Sequence, residues 1–495
     1  SQILSTITPR YSRLMGELAD YDVKALLVGI QRALDDIFTL WQDVFFSLNK
    51  DYVIQRIRRR LLLSMSDNAK ADYICKKFAV LHDIGFLPVT IKSLPEGRRV
   101  DMRVPFLTIR NTRKEVKYLT NFLETILSTE IWKTVVNATR AFGYRRILSK
   151  AAIETTGSDN GVLFQAHDFS MRGMSGFIDA SNTGIAHLSC FRGTDTVSAI
   201  EVVEKHYNPR PETCIGVSVP ATEHMVICLK GEKLEFETIR RIIEDEFPTG
   251  VVSIVSDTWN LWRVLTDYVP RLKDVILARK PDSSGMAKVV FRPDSGDPEL
   301  IICGNPAAAY GSPEYKGVVG CLWDVFGGEV NDLGYRVLHD AVGAIYGDSI
   351  TPVRAQKITS RLKEKGYASL ATVLGVGSFS YQYVTRDNLS VTMKATQATI
   401  NGVSHDLIKD PITDDGTKKS ASGLLRVDEV DGRYVLKQHC TSEEEEGGEL
   451  IERFRDGQFY NRMSWETVCE NMEYELRVVL TKLNVKPQRF YGEYS

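Results

Sequence analysis

The chain has 495 residues, of which 43% are hydrophobic and 25% charged, and its formal net charge is −2. This length predicts two or more folding units, and the near-neutral charge argues against a nucleic-acid-binding surface. No apolar stretch is long enough to span a bilayer and no signal peptide opens the chain, so we expect a cytoplasmic protein without membrane contact. Its eight cysteines include no Cys-x-x-Cys pair, which predicts free thiols in a reducing compartment.

The first 150 residues are predicted to mix helices with strands. Apolar residues at helical spacing predict helices over 21–40, 51–81 (one or two helices) and 116–148. Two β-rich runs, 87–91 and 106–109, flank Leu94-Pro95-Glu96-Gly97, whose proline and glycine indicate a turn. The basic run 56–60 is interpreted as the solvated face of a helix, with a phosphate or nucleic-acid contact as the minor alternative.

A repeated pattern occupies about residues 160–390. Seven short apolar runs each end in a polar or glycine-rich cluster, and helix-length segments separate them. From Asp168 to Asp257 the marker residues recur at 27, 29 and 33 residues, close to the ~30-residue length of a βα unit. In a barrel of such units the strand ends converge on one rim, where barrel enzymes place their sites. The clusters are His167-Asp168-Phe169, Gly193-Thr194-Asp195, Glu223-His224, Ser256-Asp257, Arg292-Pro293-Asp294-Ser295-Gly296, Gly347-Asp348-Ser349 and Gly375-Val376-Gly377-Ser378.

The region after this pattern predicts strands and a final helix. Between Asp294 and Asp348 the spacing lengthens to 54 residues, and we attribute the excess to an inserted loop over 303–328. Strand-like runs return from about Leu389. Residues 464–483 predict a helix with Ser464 as its N-cap.

The sharpest local motif is Arg292-Pro293-Asp294-Ser295-Gly296. Arg292 offers a planar fork for phosphate, and Asp294 can face ribose hydroxyls or a metal-bound water. Ser295 and Gly296 let the backbone turn and expose amide donors to an anion. The alternative is a strand-end salt bridge with a tight turn, because short motifs often match by chance.

The other clusters are weaker one by one. Gly347-Asp348-Ser349 and Gly375-Val376-Gly377-Ser378 either punctuate turns or cradle phosphate, and neither is a Walker A loop or a Rossmann fingerprint. His224 is either structural or a group that accepts and releases protons or phosphate. Asp195 either caps the next helix or accepts hydrogen bonds from an amide. Phe169 is either core or one wall of a flat-ring pocket, and His167 with Asp168 could form a structural pair.

Taken in order, these motifs resemble the nicotinamide phosphoribosyltransferases, which are type II phosphoribosyltransferases of NAD salvage. The resemblance covers nearly the whole chain. It implies an irregular α/β barrel over 151–386 and an α+β domain formed from both chain ends, 1–150 and 387–495. The matching segments are 162–197, 216–224, 253–257, 291–296, 346–349, 375–387, Lys409-Asp410-Pro411, Leu94-Pro95-Glu96-Gly97 and Leu119-Thr120-Asn121-Phe122-Leu123-Glu124-Thr125.

The resemblance also implies roles for single residues. Phe169 resembles the aromatic that stacks on nicotinamide, Asp195 the residue that holds its carboxamide, and His224 the histidine that ATP phosphorylates. Asp257 and Asp294 resemble residues around ribose, phosphates and Mg²⁺, and none is assigned as a direct metal ligand. The other positions that resemble substrate-binding residues are Arg172, Arg292, Arg386, Gly347, Asp348, Gly377 and Ser378. The match is looser for Arg10, Lys394, Lys409 and Lys418. In the family, residues at these looser positions bind phosphates, often across a homodimer interface.

Two departures from the family pattern bear on activity. The family opens with an Asp-x-Tyr-Lys segment whose tyrosine forms the second wall of the nicotinamide site in the neighbouring subunit, whereas this sequence starts at Ser1-Gln2-Ile3-Leu4. The usual three glycines are reduced to Gly377-Ser378-Phe379, and we expect Phe379 to narrow that turn. Either the sequence shown is incomplete at this end or the second wall is missing, and only in the second case do we expect less than full activity.

The expected reaction converts nicotinamide and phosphoribosyl pyrophosphate (PRPP) to nicotinamide mononucleotide and pyrophosphate, with Mg²⁺ bound to the pyrophosphate groups and ATP as a stimulating co-substrate. One alternative is a nicotinate or quinolinate phosphoribosyltransferase, which Asp195 disfavours because two carboxylates repel. The other is a catalytically impaired relative that acts by binding.

Overall fold

The computed structural model describes residues 1–14, 23–347, 349–416 and 418–486. The chain divides into two compact units. Unit 1 comprises Ser1–Thr139, Glu201–Thr213 and Val384–Glu473. Unit 2 comprises Arg140–Ile200, Cys214–Tyr383 and Tyr474–Ser495, the last of which is described to residue 486.

Helices and strands alternate through much of the described chain. The helices are Ile30–Trp41, Lys50–Met65, Asn68–Ile84, Leu119–Phe122, Glu124–Thr156, Phe177–Leu188, Ser198–Tyr207, His224–Cys228, Glu235–Arg241, Leu261–Arg263, Val269–Ala278, Pro298–Cys303, Pro313–Phe326, Pro352–Glu364, Ser378–Tyr381, Ser442–Glu445 and Trp465–Lys482. The strands are Gln2–Pro9, Ala25–Leu26, Val89–Ser93, Arg99–Val100, Leu107–Asn111, Ala166–Asp168, Gly193–Thr194, Val251–Val255, Lys288–Arg292, Gly328–Val330, Arg336–Leu338, Val342–Tyr346, Thr372–Val376, Val391–Ile400, Val403–Asp406, Arg426–Val430, Arg433–Lys437, Ile451–Arg455 and Gln458–Phe459.

An antiparallel sheet organises unit 1. Strand Gln2–Pro9 lies between Leu107–Asn111 and Val391–Ile400, so residues far apart in sequence meet in one sheet. Helix Ile30–Trp41 packs on the same sheet, where the rings of Phe38 and Phe454 stack with centroids 3.8 Å apart. The predicted α+β domain built from both chain ends is therefore confirmed. Over the described residues the strand order is Val403–Asp406, Val391–Ile400, Gln2–Pro9, Leu107–Asn111, Val89–Ser93, Ile451–Arg455, Gln458–Phe459.

Unit 2 contains a curled parallel sheet. Its strand order, among described residues, is Gly193–Thr194, Ala166–Asp168, Thr372–Val376, Val342–Tyr346, Lys288–Arg292, Val251–Val255. The two edges are linked through Val217, which bridges Gly193, and Ala221, which bridges Ser253. Because this linking segment makes only isolated bridges, the barrel is irregular, as predicted. Six of the seven predicted clusters follow the six parallel strands and so lie on one rim, whereas Glu223-His224 follows only the isolated bridge at Ala221.

The helix predicted over 21–40 is wrong in its first part. Residues 21 and 22 lie outside the described residues, Ala25–Leu26 is a strand paired with Arg99–Val100, and the helix begins only at Ile30. Ala25, Leu26, Leu27 and Val28 are all fully buried, and such a continuous buried run suits a strand better than an amphipathic helix. The segment 51–81, predicted to form one or two helices, forms two, Lys50–Met65 and Asn68–Ile84, and the basic run 56–60 lies on the first of them.

The inserted loop predicted over 303–328 is also wrong. Helix Pro313–Phe326 occupies most of it, begun by Pro313 and capped by Ser312, whose Oγ accepts a hydrogen bond from the Tyr315 amide at 3.3 Å. The helix is broken at Gly317, where φ is 77° and a Cβ would lie 2.3 Å from the Gly304 nitrogen. Its proline and glycine therefore start and bend a helix, although the composition indicated a loop.

Two further expectations concern thiols and membranes. None of the eight cysteines, which all lie within the described residues, forms a disulfide, as predicted. In the described parts of the chain, no helix is long and apolar enough to cross a bilayer.

Candidate active site

Two aromatic rings line part of the rim. The Phe169 amide donates to the Val376 carbonyl at 2.9 Å, which holds Phe169 at the end of strand Ala166–Asp168. The Phe169 ring lies against Gly375, where a Cβ would be 2.9 Å from Cδ2. The His167 ring lies 4.5 Å from the Phe169 ring at 32°. The two rings pack on each other at a tilt, and Phe169 is half-buried, so part of its ring is left for a ligand ring to stack on.

Asp195 stands beside this surface. Its Oδ1 lies 2.7 Å from His167 Nε2 and accepts a hydrogen bond from Ser218 Oγ at 2.6 Å. Burial acts to raise the pKa of the Asp195 carboxyl, but these hydrogen bonds and the charge of Arg292 outweigh it, so the net pKa lies below its usual value. Asp195 is therefore an ionised acceptor next to an aromatic surface.

His224 and two aspartates form a second cluster on the rim. Nε2 of His224 lies 3.5 Å from Asp294 Oδ2 and 3.7 Å from Asp257 Oδ1, and Nδ1 lies 3.1 Å from Thr258 Oγ1. His224 is 45% exposed whereas Asp257 is only 5% exposed, so the ring is open to a ligand while the carboxylate beneath it is not. The cluster combines a base with two buried or half-buried acids.

Asp257 shapes the turn that follows the neighbouring strand. Its Oδ2 accepts hydrogen bonds from the amides of Asp294 at 2.9 Å and Ser295 at 2.8 Å, and from Ser295 Oγ at 2.5 Å. Its Oδ1 is buried and takes no hydrogen bond from a described residue. One oxygen thus fixes the turn and the other faces His224.

Arg292 and Gly347 complete this side of the rim. Arg292 donates from its guanidinium to the Thr222 carbonyl at 2.7 Å, and its Nε lies 3.5 Å from Asp294 Oδ1. A Cβ on Gly347 would lie 1.9 Å from that same Asp294 oxygen. A larger residue at position 347 would have to displace the Asp294 carboxylate, which explains the glycine on steric grounds. Asp348, which the sequence also assigned, lies outside the described residues.

Arg172, Gly377 and Ser378 meet at one corner. A Cβ on Gly173, next to the exposed Arg172, would lie 2.1 Å from Ser378 Oγ, so the two turns are in direct contact. Gly377 precedes the short helix Ser378–Tyr381. Phe379 does not narrow this turn as expected, because its ring is 54% exposed and stacks on Tyr383 with centroids 5.6 Å apart.

A buried histidine supports the rim from below. His187 Nε2 lies 2.9 Å from the Gly193 carbonyl and its Nδ1 lies 2.8 Å from the Tyr381 hydroxyl. Burial lowers the pKa of His187 to about 4, so the ring is neutral at physiological pH and accepts from Tyr381 while donating to Gly193. This bond fixes the backbone of Gly193, against which the His167 ring lies.

The remaining predicted residues belong to unit 1. Arg10 and Lys394 line one cavity of about 380 Å³ together with Arg103, Lys419 and His439. Arg10 donates to Ser390 Oγ at 3.0 Å, which holds its side chain. Arg386, Lys409 and Lys418 do not line this cavity. Arg386 is half exposed beside Asp387, and Nζ of Lys418 lies 3.8 Å from Asp414.

Sequence reasoning passed over Ser218 and Thr258 and treated His167 as a structural residue. Thr258 directly follows Asp257, and Ser218 lies in the run that precedes His224. Because both residues lie near predicted site residues, their positions in the sequence could have indicated a place in the site. Nothing in the sequence indicates that Ser218 and His167 both contact one carboxylate oxygen of Asp195, because this depends on how three separate segments of the barrel meet in space.

The barrel and its rim define the class of protein: an α/β-barrel enzyme with a ring-stacking surface, an ionised acceptor and a histidine–carboxylate cluster. A sequence model of the nicotinate phosphoribosyltransferase (NAPRTase) family matches residues 164–456. A nicotinamide phosphoribosyltransferase of Acinetobacter baylyi is 46% identical over 475 residues, which cover 96% of this chain and 93% of that protein. One from Mycoplasma pneumoniae is 36% identical, covering 71% of this chain and 74% of its own. The chain belongs to the NAPRTase family and is a phosphoribosyltransferase.

Solved structures agree on the fold. A nicotinate-nucleotide pyrophosphorylase from Pyrococcus furiosus superposes with a TM-score of 0.54 at 14% identity, covering 98% of this chain and 90% of that one. The human nicotinic acid phosphoribosyltransferase gives 0.51 at 14% identity, with 96% and 89% covered. At this identity the likeness concerns architecture alone.

Proposed function

We propose that this protein is a nicotinamide phosphoribosyltransferase, which makes nicotinamide mononucleotide and pyrophosphate from nicotinamide and PRPP in NAD salvage. The observation that carries the proposal is the ionised Asp195 beside the Phe169 ring surface. A carboxylate accepts a hydrogen bond from a neutral carboxamide and repels the carboxylate of nicotinate. The names of the similar proteins from Acinetobacter and Mycoplasma support the same substrate.

In this proposal the residues mainly hold and orient the reactants. Phe169 stacks on the pyridine ring and Asp195 accepts from the carboxamide, which aims the ring nitrogen at C1 of the ribose. The C1–O bond to pyrophosphate breaks as the C1–N bond forms, and the departing negative charge needs stabilisation. Arg292 and Arg172 supply fixed positive charge for the phosphates. The half-buried carboxylate of Asp294 faces the ribose hydroxyls, and Asp257 holds the turn that carries Asp294.

The same carboxylates fit a bound Mg²⁺. The buried Oδ1 of Asp257, which takes no hydrogen bond from a described residue, is a hard oxygen of the kind that Mg²⁺ prefers. Bound with the pyrophosphate groups, Mg²⁺ would neutralise part of their charge. Asp257 and Asp294 are the residues that would hold it.

His224 is proposed to take part in ATP stimulation. Its ring is exposed to a ligand, and Nε2 lies near the carboxylates of Asp257 and Asp294, which can accept its N–H. Nδ1, which lies 3.1 Å from Thr258 Oγ1, then keeps its lone pair and attacks the γ-phosphorus once Thr258 turns away. The bond to ADP breaks as the N–P bond forms, and later hydrolysis releases phosphate. We expect His224→Ala to abolish stimulation by ATP while some basal turnover remains.

The cavity of unit 1 is proposed to bind phosphate groups. Arg10, Arg103, Lys394 and Lys419 line it without an acidic side chain among its lining residues, and Thr6, Thr8, Ser420 and Ser422 add hydroxyl donors. Lys409 and Lys418 are proposed to extend this charge. We propose that a homodimer presents this surface, with Arg386, to the neighbouring subunit's barrel.

The free cysteines fit a cytoplasmic enzyme.

The test is product formation from PRPP and Mg²⁺ with nicotinamide or nicotinate offered in parallel, with and without ATP. We expect nicotinamide mononucleotide, in larger amount with ATP. Turnover of nicotinate alone would assign the protein to the activity after which the NAPRTase family is named. If neither substrate reacts while both bind, a non-catalytic role replaces the proposal.

A further inference from the structure

Two hydrogen-bond donors converge on one oxygen of Asp195. His167 Nε2 and Ser218 Oγ both lie within 2.7 Å of Oδ1 (2.7 and 2.6 Å), whereas Oδ2 takes no hydrogen bond from a described residue. The donors come from different parts of the barrel, His167 from strand Ala166–Asp168 and Ser218 from the segment that links the sheet edges. A rotation of the carboxylate would break both bonds, so its orientation is fixed.

The direction of these bonds follows from the charge of Asp195. An ionised carboxylate has no hydrogen to give, so both partners must donate. His167 therefore carries its proton on Nε2, and Ser218 turns its hydroxyl hydrogen toward Oδ1. Oδ1 is occupied by protein donors, and Oδ2 remains available for a ligand donor.

His167 is itself held in place. Its Nδ1 would lie 2.8 Å from a Cβ on Gly193, so the imidazole lies directly on that backbone. Its other neighbour is the Phe169 ring, 4.5 Å away. His167 therefore fixes the acceptor and the stacking ring relative to each other. A ring stacked on Phe169 can present a carboxamide to Oδ2 only while that geometry holds.

We infer that His167 and Ser218 are positioning residues that orient the Asp195 carboxylate, and that this arrangement sets the preference of the site for a neutral carboxamide over a carboxylate. The inference rests on the proposed function. Neither residue needs to touch the substrate. If either donor is lost, the carboxylate can rotate or take up a proton, and both changes weaken carboxamide binding and relieve the repulsion of nicotinate.

The test uses variants of the full chain that separate the donor from the ring. His167→Phe keeps a ring and loses the donor, whereas His167→Gln keeps an N–H donor and loses the ring. Ser218→Ala removes the second donor. Its matched control is Ser284→Ala, which removes another serine–aspartate hydrogen bond, the 2.5 Å contact to Asp282 on an exposed loop of unit 2.

We expect His167→Phe and Ser218→Ala each to raise KM for nicotinamide about tenfold, the effect of losing one hydrogen bond to a charged group. KM for PRPP and kcat should stay within about twofold, since the phosphate and ribose contacts are untouched. The ratio of kcat/KM for nicotinamide to that for nicotinate should fall. His167→Gln should recover part of the loss, and Ser284→Ala should match the wild type.

A combination with Asp195→Ala separates positioning from a general structural effect. If His167 acts through Asp195, then His167→Phe should have almost no further effect on KM for nicotinamide in the Asp195→Ala background. An equal effect in both backgrounds, or equal increases of KM for nicotinamide and PRPP, would overturn the inference. Should His167→Phe fail to fold, Ser218→Ala tests the same carboxylate.

The wild-type protein distinguishes this inference from the proposed function. A wild type that uses nicotinamide while both donor variants keep its KM overturns only the positioning role. A wild type that uses nicotinate alone, or neither substrate, overturns the proposed function and the inference with it.

Discussion

Several residues at the rim of unit 2 are small because another group needs their space. Gly193 lies under the His167 ring, Gly375 under the Phe169 ring and Gly347 against Asp294. In each case a methyl group would meet a neighbouring atom closer than 3.0 Å. These glycines place aromatic and acidic side chains directly on the strand backbone, where their positions vary little.

A methyl group at Gly347 should therefore displace Asp294. We expect Gly347→Ala to lower kcat/KM for PRPP by about a hundredfold, the order of loss that a displacement near 1 Å produces. The control is Gly343→Ala on the same strand, where a Cβ would meet only Lys288 Cδ at 3.4 Å and Val290 Cγ2 at 3.7 Å. Steady-state kinetics of both variants decide the matter. Equal activity in the two would show that Asp294 tolerates the shift.

At the scale of elements, a carboxylate from a distant turn begins a helix in unit 1. Helix Ile30–Trp41 has no side-chain cap of its own at Gly29. Glu96 replaces it, accepting from the amides of Gly29 and Gln31 at 2.6 Å each and from the Tyr207 hydroxyl at 2.8 Å. The turn Leu94-Pro95-Glu96-Gly97 thus joins a sheet, a helix start and helix Ser198–Tyr207.

Replacing this carboxylate by an amide should destabilise unit 1. In Glu96→Gln one amide N–H must face a buried N–H or O–H donor, and an unsatisfied buried donor costs about 1–3 kcal/mol. Chemical denaturation measures the change in the free energy of unfolding. Glu443→Gln, at an exposed position, provides the matched control and should change it little. A Glu96→Gln protein as stable as the control would mean that the cap contributes nothing.

The end of helix Ser198–Tyr207 is held by an ionic cluster in unit 1. His206 Nδ1 lies 2.9 Å from Asp35 and Nε2 lies 3.3 Å from Asp36, while Arg462 also binds Asp35. Burial acts to lower the pKa of His206, but the two aspartates outweigh it and the net pKa is raised. Burial acts to raise the pKa of Asp36, yet His206 brings it down to about 2.

These two shifts define where the cluster stabilises the fold. The contribution of His206 is fully present below its unfolded pKa of about 6.5 and is lost as the pH rises through the higher folded value. The contribution of Asp36 is present above its unfolded pKa of about 4 and is lost as the pH falls toward 2. We expect the free energy of unfolding to fall above about pH 6.5 in the wild type and to change less in His206→Gln. Parallel curves for the two proteins would contradict this assignment.

At the scale of the whole molecule, the residues proposed to bind substrate are divided between the two units. The barrel rim carries the ring surface and the acidic cluster, and the cationic cavity belongs to unit 1. If a homodimer shares its sites, each site takes its rim from one chain and its cavity from the other.

Mixing two inactive proteins tests this arrangement. Asp294→Ala removes a rim carboxylate and Arg10→Ala removes a charge of the cavity, so each variant alone should be strongly impaired. After exchange of subunits, half of the dimers carry one intact site, and about a quarter of wild-type activity should return. No recovery after verified subunit exchange would place both residues in a site formed by one chain.

The sequence predicted much of the barrel because alternating strands and helices leave a local signature. The β-rich runs 87–91 and 106–109 correspond to strands Val89–Ser93 and Leu107–Asn111, and the polar clusters indicated a common rim. The failures at Ala25–Leu26 and Pro313–Phe326 have different causes. Both segments misled through composition. At Ala25–Leu26, pairing with a distant strand decided the conformation, and at Pro313–Phe326 the proline that indicated a loop instead begins a helix capped by Ser312.

The sequence predicted several residues of the site but not the contacts between their side chains. Residue types at strand ends indicated Asp195, Asp257 and Asp294. The common target of His167 and Ser218 could not be foreseen, since it depends on how three strand ends meet in space. The role of Gly347 could not be foreseen either, because it depends on Asp294 Oδ1, which would lie 1.9 Å from a Cβ at position 347.

The central place of strand Gln2–Pro9 in its sheet has a consequence for biosynthesis. Its neighbour Val391–Ile400 leaves the ribosome roughly 380 residues later, which at about 5–20 residues per second is tens of seconds. The parallel strands between Ala166 and Val376 are all translated within that interval and can assemble first. A nascent chain therefore carries an apolar strand with one unpaired edge while the barrel is completed, and this interval is when a holding chaperone or a mistaken pairing between neighbouring polypeptides would act.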